Sequence, residues 1–85
     1  MYISVTQGEK YERREFVEAF WASKNSATVY IQTRFDVYRI ELEDDERCEI
    51  AMAALEDRAN GHTNRMIKID TNNAIAKKRF VISQY

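Results

Sequence analysis

Proline is absent from this 85-residue chain, and glycine occurs only at Gly8 and Gly61. So little punctuation argues against linkers, loop-rich folds and disordered tails. The one cysteine, Cys48, excludes an internal disulfide framework and a cysteine-based metal cluster. The one histidine, His62, removes most metal and nucleophile constellations as well. No apolar run approaches the ~18 residues a membrane helix needs, so no membrane partner is expected. The opening Met-Tyr-Ile-Ser-Val-Thr has neither the basic flank nor the long apolar core of a secretory signal. These absences leave one compact cytoplasmic domain over residues 1–85 as the expectation.

What is present is ordinary for a globular chain: 45% hydrophobic, 32% charged and 12% aromatic residues, with a net charge of −1. The charge is divided along the chain. Residues 36–57 carry nine acids and two bases, whereas residues 58–85 carry six bases and one acid. Self-compensation between the blocks and matching to helix dipoles is one reading. A bipolar surface that steers binding to a charged partner is the other.

Tyr2 to Thr6 alternates apolar and polar residues and reads as a strand. Thr6-Gln7-Gly8-Glu9 fits a capping box, and Phe16, Val17, Phe20 and Trp21 then recur at helical spacing, so the pattern predicts a helix to about Lys24. The alternative makes Gln7-Gly8 a hairpin turn, with the helix starting near Arg14. Ala27 to Leu42 is the most strand-like stretch. A phase change near Phe35-Asp36 predicts either a hairpin of two strands or one bent strand. Asp44 to Asn60 reads as an amphipathic helix with Cys48, Ala51, Met52, Leu55 and Ala59 on one stripe, widened by Ile50 and Ala54. Asn60-Gly61 stops it. Arg65 to Asp70 and Ile75 to Ser83 read as two strands about Asp70-Thr71-Asn72-Asn73. The expected fold is therefore α+β and two-layered. Its element order is the ferredoxin-like β-α-β-β-α-β plus a C-terminal strand, with an antiparallel sheet and two helices on one face.

Catalysis needs groups of different roles within hydrogen-bond reach. His62 follows a helix, where it can bond the last carbonyls; a general base is the competing role. Cys48 falls on the apolar stripe beside Glu46 and Glu49, which suits a small buried hydrophobe better than a nucleophile. The acids from Glu41 to Glu46 lack calcium-loop spacing and read as a solvated helix start. There is no phosphate-binding glycine loop, nucleophile elbow or zinc spacing. No enzyme activity, no cofactor and no metal is the expectation.

Two binding classes remain. RNA-recognition domains of this topology stack bases on exposed sheet aromatics. Tyr2, Tyr30, Phe35 and Tyr38, with Arg34 and Arg39, offer the residue types, although Tyr38 shares a face with Ile40 and Leu42. In that reading the nucleic-acid contacts are Arg65, Lys77, Lys78 and Arg79. Protein binding is the other class, since Trp and Tyr dominate protein–protein hot spots, although Trp21 can also simply close a helix against the sheet. In its general style the chain resembles the small accessory proteins that phages and mobile elements encode. The resemblance implies an inhibitor of a host macromolecular complex, of the anti-CRISPR or anti-restriction type. Its expected partner-binding residues are Glu41, Glu43, Asp44, Asp45, Glu46, Glu49, Trp21 and Tyr30. Unguarded strand edges add the expectation of a homodimer.

Overall fold

The computed structural model describes residues 1–7, 11–23, 25–70 and 79–82. They form an α+β structure: a mixed sheet of six strands and, among the described residues, one helix. The strands are β1 (Tyr2–Gln7), β2 (Tyr11–Ser23), β3 (Thr28–Thr33), β4 (Val37–Glu41), β5 (Ile67–Asp70) and β6 (Arg79–Ile82), and helix α1 is Asp45–Ala59. The sheet order is β4-β3-β2-β1-β5-β6. Strands β1 to β4 form an antiparallel meander; α1 then crosses the sheet to deliver β5 parallel to β1, and β6 pairs antiparallel with β5. β4 comes within contact range of β6 although they stand at opposite ends of the order, so the sheet curls on itself.

The first expected helix is a strand. All thirteen residues of β2 are extended, the first six paired with β1 and the last seven, one of them a bulge, running against β3. The register shifts between Val17 and Ala19, leaving Glu18 as the extra residue of a β-bulge. Glu15 and Val17 face inward before the bulge, and the pairing of Phe20 with Ile31 and Ala22 with Val29 puts those two inward after it. One bulge thus converts a spacing of two into a spacing of three, which mimics helical periodicity. Thr6 caps no helix; its hydroxyl donates to the Ile69 carbonyl across the β1–β5 ladder at 3.3 Å. Gly8 and Glu9 lie outside the described residues. The order is consequently β-β-β-β-α-β-β, not ferredoxin-like, and the sheet is mixed, not antiparallel.

The other elements follow their patterns. β3 and β4 form a hairpin, with Val29 opposite Ile40 and Ile31 opposite Tyr38. Thr33 closes its turn: its backbone N–H donates to the Asp36 carbonyl, and its hydroxyl accepts from the Phe35 N–H at 3.1 Å. Helix α1 has Asp44 as N-cap, its side chain accepting from the Arg47 N–H at 2.8 Å, and Gly61 follows with φ +75°. Cys48, Ala51 and Leu55 are buried and Met52 partly so, whereas Ile50 and Ala59 are exposed. The core joins Ile3, Val5, Val17, Val29, Ile31, Tyr38, Ile40, Ile67 and Ile69 to the helix stripe. The expected turn after Asp70 falls outside the described residues.

Ile31 is fully buried on β3, facing Tyr38 on one side and Phe20 on the other. Ile31→Ala is expected to lower stability by about 2–5 kcal/mol, the usual cost of truncating a core aliphatic side chain. A urea titration followed by circular dichroism measures it.

Candidate functional site

Among the described residues, one carboxylate lies inside the sheet. Glu15 points to the inner face of β2, opposite Ile3, with only 1% of its surface exposed. Both carboxylate oxygens are satisfied. Oε1 accepts from Thr33 Oγ1 at 2.6 Å and from the Tyr38 hydroxyl at 2.7 Å, and Oε2 accepts from Arg13 Nε at 2.7 Å. Arg13, two residues back on the same face, is itself exposed, and its guanidinium lies 4.6 Å from the centre of the Phe35 ring. Burial alone would raise the Glu15 pKa. The hydrogen bonds from Thr33, Tyr38 and Arg13 outweigh it and hold the carboxyl below its ordinary value. Tyr38 is pushed up to about 12, first by burial and then by its bond to Glu15. Acid–base catalysis at neutral pH calls for shifts toward neutrality. Here the carboxyl moves down and the phenol up, so the network holds charge in place and fastens β2, β3 and β4 together.

The outer face of the sheet carries the exposed aromatics. Trp21 and Tyr30 are opposite each other on β2 and β3, and their rings stack at 5.4 Å with planes 11° apart. Trp21 keeps 40% of its surface exposed, so it does not close a helix against the sheet. Arg39 is opposite Tyr30 on β4 and pairs with Glu41 at 3.2 Å. A second pair, Tyr2 and Phe16, meets edge to face at 5.2 Å on the β1–β2 ladder. Tyr38, one of the candidate stacking residues, is core instead, and Phe35 sits against Arg13.

The acidic run has no single role. Glu41 is compensated by Arg39, and Asp44 is spent on the helix cap. Glu43 and Glu46 are exposed. Asp45 and Glu49 stand one helical turn apart and, with Cys48 and Met52, line one side of an open cleft of about 390 Å³; Ala22 and Ser23 of β2 line the other. The end of β2 at Ala22 and Ser23 therefore shares a cleft with the acidic start of α1. Burial pushes the Cys48 thiol up, and Asp45 and Glu49 add to that, which disfavours the thiolate. His62 contributes its backbone N–H to the Asp57 carbonyl at 2.9 Å, and its ring is exposed, 3.9 Å from the Asp57 carboxylate.

Arg65 is exposed ahead of β5. Lys77 and Lys78 fall outside the described residues, and of Arg79 only its place at the start of β6 is described. Among the described residues no group of three or more His, Cys, Asp or Glu is placed to hold a metal ion, and no helix is long and apolar enough to cross a membrane. Sequence reasoning missed Glu15, Arg13 and Phe16 as site-forming residues. The available signal was Glu15 two positions from Val17, within a run too charged for an amphipathic helix. Comparison with family models, curated proteins and solved structures finds no match.

The network sets the pH limits of stability. Glu15 has a lowered folded pKa, so its contribution is present above the ordinary value of 4.5 and is lost as pH falls below it. Tyr38 has a raised one, so its contribution is present below 10 and is lost as pH climbs toward about 12. Tyr38→Phe is expected to cost about 1–3 kcal/mol at neutral pH, because the buried carboxylate loses a donor. It also removes part of the alkaline loss. Urea midpoints measured from pH 3 to 12 on both proteins check both statements.

Proposed function

We propose that the protein is a non-enzymatic binding module that works by occupying the surface of another protein. In the form suggested by its resemblance to phage accessory proteins, it is an inhibitor of a host complex. The observation that carries this reading is the Trp21–Tyr30 stack, held on the sheet face away from α1 with Trp21 left 40% exposed. Large aromatics fixed on a rigid sheet give up little entropy on binding, and such residues provide most of the energy at protein interfaces. The cation opposite Tyr30, Arg39, is already paired with Glu41. Phosphate binding draws its affinity from unpaired cations, and carboxylates nearby oppose it. The Glu15–Tyr38 network, with both groups displaced away from neutrality, supplies support and no chemistry.

The test is capture from a nuclease-treated bacterial lysate, followed by titration of the recovered partner against wild type and Trp21→Ala/Tyr30→Ala. Removing a hot-spot pair is expected to weaken the complex by about thirtyfold or more, with the variant still folded by circular dichroism although its urea midpoint falls with loss of the cross-strand stack. If only nucleic acid is retained, and nuclease or moderate salt releases it, the protein-binding reading fails. The basic C-terminal residues then become the working surface.

A further inference from the structure

The cleft between the end of β2 and the start of α1 has a chemistry of its own. Its lining combines the apolar Ala22 and Met52 and the Cys48 thiol with the carboxylates of Asp45 and Glu49. Its volume of about 390 Å³ lies at the small end of the ~300–1,000 Å³ typical of ligand clefts. Asp45 and Glu49 are spaced i, i+4, where like charges repel. Neither is paired with a cation among the described residues, whose ion pairs are Arg13–Glu15, Arg39–Glu41 and His62–Asp57. Both carboxylates are felt inside the cleft, since each adds to the upward shift of the Cys48 thiol. The thiol proton is turned toward the Thr28 carbonyl, 3.9 Å away, and so does not satisfy them.

We infer that this cleft receives one lysine or arginine side chain of the partner, its aliphatic stem against Ala22 and Met52 and its cation between Asp45 and Glu49. Long basic side chains combine an apolar stem with a charged head, and the cleft lining offers a surface for each. A purely apolar side chain leaves the two carboxylates repelling each other, and an acidic one adds a third negative charge. The inference rests on the protein-binding reading for its biological meaning, and it names a basic side chain as what the partner presents to the cleft.

Amide shifts in a ¹⁵N correlation spectrum, titrated with n-butylguanidinium and with its neutral isostere N-butylurea, test it without a partner in hand. The cation is expected to give saturable millimolar shifts at Ala22, Ser23, Cys48, Glu49 and Met52, with the urea weaker by about tenfold or more. Asp45→Asn/Glu49→Gln removes that preference, and Glu49→Gln alone reduces it should the double variant be poorly folded. Trp21→Ala/Tyr30→Ala leaves it intact, so failure of the aromatic surface and failure of the cleft are read separately. Equal shifts from the two probes, shifts confined to other residues, or a cation preference that survives both neutralising variants overturns the inference.

Discussion

The Glu15 carboxylate is the constraint around which the meander is arranged. Removing an ion from water costs several kcal/mol even after relaxation, and only a matching charge with every lone pair satisfied returns it. Arg13 supplies the charge from the same strand, Thr33 the donor from the end of β3, and Tyr38 the donor from the start of β4. Three strands must therefore be in register before the group is satisfied. A slip of one residue in β3 or β4 would turn Thr33 or Tyr38 to the other face and strand the carboxylate. The same Thr33 hydroxyl accepts from the Phe35 N–H, and Phe35 lies against Arg13. The hairpin turn and the buried ion pair thus hold each other.

The bulge at Glu18 makes this compatible with an exposed aromatic face. Upstream of it β2 belongs with β1; downstream it belongs with β3, with its alternation reset. Without the extra residue, Phe20 and Ala22 would face outward and Trp21 would enter the core. The inserted residue keeps Phe20 against the core and leaves Trp21 opposite Tyr30 on the outside. A bulge also bends its strand and increases local twist, in keeping with a sheet whose β4 and β6 approach each other.

Legibility from sequence followed how local each determinant is. Helix α1 was readable because its cap, stripe and stop lie within one segment: Asp44, then Cys48, Ala51 and Leu55, then Asn60-Gly61. The β3–β4 hairpin was readable because alternation and phase change are local too, and Tyr38 was correctly placed on a face with Ile40 and Leu42. β2 was misread because its two determinants are non-local. A glutamate on the inner face makes sense only beside Thr33 and Tyr38, which are 18 and 23 residues away. The bulge is visible only against its partner strand. Trp21 and Tyr30 were chosen as separate aromatics, and the register that stacks them is a property of the sheet.

The acidic run shows why a charge count along the chain is a poor guide to a surface. Six neighbouring carboxylates were grouped as one candidate site, yet the fold assigns them different tasks. Glu41 is neutralised by a strand neighbour, and Asp44 accepts a helix N–H. Asp45 and Glu49 border a cleft whose other side comes from β2. Capping and pairing consume charge, whereas Asp45 and Glu49, unpaired among the described residues, keep theirs at the cleft. Aromatic contact on its own is permissive, because a flat ring accepts many partners. A charged cleft is selective, because a partner without a cation leaves both carboxylates unrelieved. In the proposed reading, affinity from Trp21 and Tyr30 and discrimination from Asp45 and Glu49 are thus separable properties.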